Sequence, residues 1–197
     1  TTNTPCHATN ADNRKDTKKC EDSEETLEQL IDRDSKWRTD MRKTMKPKER
    51  MLIECVTMPE LAPEYRISHR KEEVNQGLTL EMAMKEAKRC LDCAKPACME
   101  GCPVSINIPS FIKNIERGNI TGAARVLKST SSLPAVCGRV CPQEKQCESR
   151  CLHLKTGGEA VAIGYLERFA ADYEREHGGA NVEKVKSNGI KIAAVGS

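Results

Sequence analysis

Apolar residues in this chain recur in short stripes at helical spacing. Leu27, Leu30, Ile31, Met41 and Met45 form a thin stripe amid many charges. That stripe predicts a helix over 23–45, with Asp22 as N-cap and Glu25 as its capping-box partner. Trp37 lies within it, and the expected role is docking on a partner domain or subunit. Pro47, Pro59 and Pro63 then mark an irregular arm to about residue 76. Leu80, Ala83, Met84, Ala87 and Leu91 return to helical spacing, with Thr79 as N-cap and Glu81 in the first turn. Pro109 stands at a helix start, Phe111, Ile112 and Ile115 form an apolar face, and Gly118 closes the helix. Ala123, Ala124, Val126 and Leu127 predict another. The last helix, Ala160 to about His177, carries Ile163, Leu166, Phe169, Ala170 and Tyr173 on its large apolar face. Only the segment from Ile190 to Gly196 reads as a short buried strand.

The predicted fold class is therefore all-α, with that strand as the start of a truncated nucleotide-binding domain. Residues 1–21, rich in Thr, Asn, Asp and Lys, read as a disordered leader. Residues 22–76 form a helical and irregular arm, 77–178 a helical module, and 179–197 a linker plus the strand. The strand reaches Gly196 before any G-x-G-x-x-G fingerprint could be read, so a fragment without its own catalytic site is expected.

Composition narrows the picture. Hydrophobic content is 38% and aromatic content only 3% of 197 residues, thin for a large core. Bound metal could staple such a chain. A net charge of +3 implies no nucleic-acid footprint. No apolar run approaches the roughly 20 residues of a membrane span. Thr1 to Asn10 lacks the pattern of a signal peptide, so the expected compartment is a reducing cytoplasm.

The chemistry is concentrated in one stretch. It reads Cys90-x2-Cys93-x4-Cys98-x3-Cys102-Pro103, then Cys137-x3-Cys141-Pro142-x4-Cys147-x3-Cys151. Eight of the eleven cysteines lie there, too dense and too regular for chance. Disulfides need an oxidising compartment. Zinc usually takes two tight pairs, and only Cys90-x2-Cys93 has that spacing. A C-x-x-C followed by further cysteines and closing on Cys-Pro is the grammar of a bacterial ferredoxin run, in which the Cys before Pro serves the other of two clusters. The x4 gap departs from it. Iron–sulfur, zinc and disulfide readings all stay open on spacing alone.

The remaining polar candidates read as structural. Cys6, Cys20 and Cys55 have no ligand-spaced neighbours and read as ordinary thiols. His69 reads as solvated, and His153 and His177 as surface residues. Arg168 and Asp172 read as a solvated face. Glu167 falls between Ile163 and the small stripe Ala160, Gly164 and Ala171, and by pattern alone reads as a helix-edge carboxylate reaching for solvent.

Residues from about Met58 to Gly196 resemble the N-terminal region of the glutamate synthase small-subunit family. The match runs through Gly77-Leu78-Thr79, Glu86-Ala87-Lys88-Arg89-Cys90-Leu91, Gly101-Cys102-Pro103-Val104 and Ile108-Pro109. It continues through Leu133-Pro134-Ala135-Val136-Cys137-Gly138-Arg139-Val140-Cys141-Pro142-Gln143 and Leu166-Glu167-Arg168-Phe169. The same module is similar to parts of the large subunit of NADH-dependent ferredoxin:NADP oxidoreductase and of dihydropyrimidine dehydrogenase.

The resemblance implies an α-helical ferredoxin with two [4Fe-4S] clusters, followed in the whole protein by FAD and NAD(P)H domains. It implies Cys90, Cys93, Cys98 and Cys151 on one cluster, and Cys102, Cys141 and Cys147 on the other. The fourth ligand of the second is an acid or amide on the last helix, Gln in dihydropyrimidine dehydrogenase, which aligns with Glu167 here. Cys137 is then left as a non-ligand. The implied function is electron transfer within an NAD(P)H-dependent flavoprotein oxidoreductase. Glutamate synthase, working with a catalytic large subunit, is the leading form. A ferredoxin- or polysulfide-coupled parent is the alternative, and a zinc-binding assembly module is the alternative of another class.

Overall fold

The computed structural model describes residues 25–177, 186–191 and 193. The expected first helix exists as two: α1 (Leu27–Ile31) and α2 (Lys36–Thr44). Thr26 caps α1, accepting from the Gln29 N–H while the Gln29 side chain returns to the Thr26 N–H, so the capping box sits at this pair rather than at Asp22 and Glu25. Asp22 lies outside the described residues. The break has a physical cause. The terminal carbonyls of α1 are taken by side chains instead of by the next helical turn. Asn114 donates to Leu30 O at 3.1 Å, Ser110 to Ile31 O at 3.2 Å, and Arg38 to Ile31 O at 3.1 Å. Asp32 then closes a turn on the Asp34 N–H.

Two short helices follow, α3 (Pro47–Met51) and α4 (Pro63–Ser68), each opened by a proline, where the missing N–H costs nothing. Among the described residues the only strand-like feature is an isolated bridge between Glu60 and Asn75. Helix α5 (Leu80–Arg89) is capped by Thr79, as its pattern predicts. Then come α6 (Ala97–Glu100), α7 (Ile108–Glu116), α8 (Ile120–Lys128) and α9 (Pro134–Val140). Asn107 and Asn119 cap α7 and α8, and Gly118 takes the left-handed turn between them at φ 85°. Three 3-10 segments at 143–145, 148–150 and 152–156 precede α10 (Ile163–Glu176). Of the expected terminal strand, Ile192 and residues 194–197 lie outside the described residues, and the described neighbours form no strand.

Helix α10 packs across α9, α8, α7 and α5. Leu30, Phe111, Ile112, Ile115, Leu127 and Leu166 anchor a single buried cluster. Helix α1 packs on α7 and α8, so the arm docks on the helical module of its own chain. Trp37 lies beneath the Arg117 guanidinium, 4.0 Å from its ring centroid.

Buried ion pairs supplement the thin apolar core. Arg38 meets Asp92 at 2.6 Å, Arg50 meets Glu116 at 2.8 Å, and Arg89 meets Glu86 at 2.5 Å, with all six side chains almost fully buried. Glu86 also accepts from the Val56 and Ala162 N–H groups, so its charge is fully paired. Removing one partner of such a pair costs about 3–5 kcal/mol by stranding the other. Two surface expectations are corrected. His153 is buried, its Nε2 2.9 Å from Arg89 O. Arg168 is buried too, its guanidinium held by Asn75 O, Asp172 and Glu73. Among the described residues no helix is long and apolar enough to cross a membrane.

Candidate metal centres

Four of the sequence-predicted thiols meet around one cavity. Cys90 is the C-cap of α5, Cys93 follows in the loop, Cys98 lies in α6, and Cys151 joins two 3-10 segments. Together they line a space of about 150 Å³. Ile108, Ile112, Val161 and Ile163 supply its apolar wall. Burial raises the Cys98 thiol far above its ordinary value, and the neighbouring Cys90, Cys151 and Cys93 raise it further. Burial likewise raises Cys90 and Cys93. Bare thiolates are costly here, and metal binding requires thiolates, so the site suits a cationic group that offsets both burial and mutual repulsion.

The second group forms around the end of α9. Cys141 is the C-cap of α9. Its thiol is pushed up to about 11, by burial first, then by Cys137, Glu167 and Cys102. Cys147 is pushed up to about 12 by burial, with Glu148 and Cys102 adding to it. Cys137, Glu167 and Cys102 therefore each lie near Cys141, and Cys102 also lies near Cys147. Cys147 also stands near enough to Cys98 to oppose its ionisation, which makes the two groups neighbours.

Glu167 is the least expected member. It is only 6% exposed, and its Oε1 is buried without a hydrogen-bond partner. Desolvation pushes its carboxyl up to about 7. The expectation that it reaches solvent is thereby corrected. Gly138 explains the burial: a Cβ there would lie 2.5 Å from the Arg168 backbone nitrogen, so only glycine lets α9 close over this turn of α10. A buried carboxylate oxygen with no donor, near the Cys141 thiol, fits a metal ligand whose partner atom is a cation.

Among the described residues no three His, Cys, Asp or Glu side chains close on one point as the ligands of a single ion would. A four-iron cluster asks for ligands around a volume rather than a point, one to each iron. The donor set and the thiol-lined cavity fit that demand. Cys55 stands apart, facing the Val56 carbonyl and Glu86, and belongs to neither group. Cys6 and Cys20 lie outside the described residues.

Sequence reasoning missed the cationic frame around the first group. Lys113 is buried and donates to Cys90 O at 2.5 Å and to Glu116 at 2.6 Å. Asp92, between Cys90 and Cys93, adopts φ 53°. Its carboxylate accepts from Arg38 and Arg42, and its carbonyl accepts from Arg33 at 3.1 Å. A charged residue wedged between two cysteines was the available signal.

A family model described as dihydropyrimidine dehydrogenase domain II, 4Fe-4S cluster, matches residues 67–179, more than half of the chain. The chain belongs to this family. All eight sequence-predicted ligands fall inside the match, and the arm up to residue 66 falls outside it. The chain is 41% identical over 127 residues to the provisionally named oxidoreductase UacF of Escherichia coli strain K12, covering 64% of this chain and 20% of UacF. It is 39% identical over 126 residues to the glutamate synthase [NADPH] small chain of the same strain, covering 64% of this chain and 26% of that one. It is 36% identical over 127 residues to the NAD-dependent dihydropyrimidine dehydrogenase subunit PreT, covering 64% and 30%. The match thus spans 20–30% of the length of these relatives. Family members carry 4Fe-4S chemistry in an oxidoreductase setting.

Proposed function

We propose that this chain is an electron-transfer module holding two [4Fe-4S] clusters within an NAD(P)H-dependent FAD oxidoreductase of the glutamate synthase small-subunit type. The observation that carries the reading is the pairing of a thiol-lined cavity with a second thiol group that includes an orphaned, buried carboxylate. Residues 77–178 form the α-helical ferredoxin module in this reading. Cys90, Cys93, Cys98 and Cys151 hold the first cluster. Cys102, Cys141, Cys147 and Glu167 hold the second, with Cys137 a bystander. FAD and NAD(P)H belong to domains of the longer protein, which works in the cytoplasm with a catalytic large subunit or another redox partner.

When bound, such clusters supply one-electron transfer and no bond-making chemistry of their own. The chain's residues do the rest. Ile108, Ile112, Val161 and Ile163 exclude water from the first cavity. Lys113 fixes the Cys90 carbonyl and adds positive charge behind that thiolate. Gly138 brings α9 against α10, so that Glu167 and Cys141 face each other. The nearness of Cys98 to Cys147 suits stepwise electron passage between the two groups.

Anaerobically purified chain is expected to be brown, and its visible absorption is expected to bleach on reduction with dithionite. A colourless protein whose spectrum dithionite leaves unchanged would favour the zinc-binding assembly module instead.

A further inference from the structure

The Cys90–Cys93 loop is gripped from outside the family-matched region. Arg38 donates to Asp92 through Nε to both carboxylate oxygens at 3.1 Å and through Nη2 to Oδ1 at 2.6 Å. Arg42 donates to Oδ2 at 2.7 Å. Arg33 donates to the Asp92 carbonyl at 3.1 Å. The Arg38 and Asp92 side chains are 2% and 1% exposed, so solvent does little to screen the pair. Arg38 is itself fixed by Ser110 Oγ at 2.7 Å and by Ile31 O.

The clamp bears on the loop that joins the two cysteines, through both the carboxylate and the carbonyl of Asp92. Asp92 sits at φ 53°, a conformation that aspartate tolerates only at a cost and that its three arginine partners hold. Three guanidinium groups against buried Asp92 and the exposed Asp34, which lies 3.9 Å from Arg33 and 3.7 Å from Arg42, leave a net positive charge beside the first thiol group. Net charge and hydrogen bonds to sulfur are the levers that set a cluster's potential.

We infer that Arg33, Arg38 and Arg42, acting through Asp92, are positioning residues that fix the Cys90–Cys93 loop and raise the reduction potential of the cluster it holds. This rests on the reading that Cys90, Cys93, Cys98 and Cys151 hold a cluster. The arm is then part of the redox centre's shell, although its own sequence carries no ligand.

The test uses the whole 197-residue chain with its clusters loaded, titrated potentiometrically and followed by electron paramagnetic resonance. Asp92→Asn removes the anion and leaves three cations, so the first cluster's midpoint should shift positive. Arg42→Gln removes a cation whose side chain is 23% exposed, so the fold tolerates the change and the midpoint should shift negative. The second cluster should stay near its original midpoint in both. Opposite shifts confined to one cluster support the inference. Shifts of the same sign, equal shifts in both clusters, or no shift in either variant overturn it. Should Asp92→Asn shed the first cluster, the sign of the Arg42→Gln shift alone decides. Absence of labile sulfide from the unmodified chain would overturn the cluster reading itself, a separate outcome.

Discussion

Glu167→Ala should strip or convert one cluster and leave the other unchanged, while Cys137→Ser should leave both intact. Two four-iron clusters need eight ligands. If Cys90, Cys93, Cys98 and Cys151 serve one, then Cys102, Cys141 and Cys147 leave one position open at the other. Cys137 and Glu167 compete for it. Both adjoin Cys141, whose thiol each of them pushes up. The difference lies in what each already has. Glu167 Oε1 is buried with no donor, and burial alone lifts its carboxyl to about 7. An unpaired buried carboxylate costs several kcal/mol unless a cation meets it. Cys137 is a half-buried thiol, a weak hydrogen-bonding group that loses little when unpaired, so it has no comparable deficit. Glu167→Ala should therefore reduce iron by up to about half and change one paramagnetic signal. Glu167→Gln keeps an oxygen at the site and should retain more iron than the alanine. Loss of a cluster in Cys137→Ser, with Glu167→Ala unaffected, would restore the eight-thiolate arrangement.

Removing the metal should abolish the chain's sharp thermal transition at the temperature of the loaded form. The aromatic content is low, and four thiols together with an apolar wall surround a cavity of about 150 Å³. Metal coordination in small modules contributes on the order of 10 kcal/mol, comparable to the whole stability of a domain at about 5–15 kcal/mol. The buried pairs Arg38–Asp92, Arg50–Glu116 and Arg89–Glu86 oppose complete unfolding. Each also offsets its own desolvation, so their net contribution is smaller than their geometry suggests. Calorimetry of chelator-stripped protein against loaded protein checks this. An unchanged transition would mean that the ion pairs and the Phe111–Leu166 core hold the fold unaided.

How much of this was legible in the sequence differs from element to element. Helices α5, α7, α8 and α10 were readable because their stripes and caps are local. The break after α1 was not, because it depends on Ser110 and Asn114, some 80 residues away, taking the terminal carbonyls. His153 and Arg168 looked like surface residues because their partners, the Arg89 and Asn75 carbonyls, leave no mark in a side-chain pattern. The burial of Glu167 depends on a glycine in another helix, so its own helical position pointed the wrong way. Cysteine spacing located the chemistry and offered Cys137 as a ligand, whereas the resemblance to a known family pointed to Glu167 instead. The arginine clamp on Asp92 was hidden because Arg33, Arg38 and Arg42 sit among many other charges, and only folding singles them out.

The central claim is that this chain carries two four-iron clusters, and metal and sulfide analysis of anaerobically purified protein tests it most directly. About eight irons and about eight acid-labile sulfides per chain, with no zinc, is the predicted result. Two zincs per chain and no labile sulfide would contradict it.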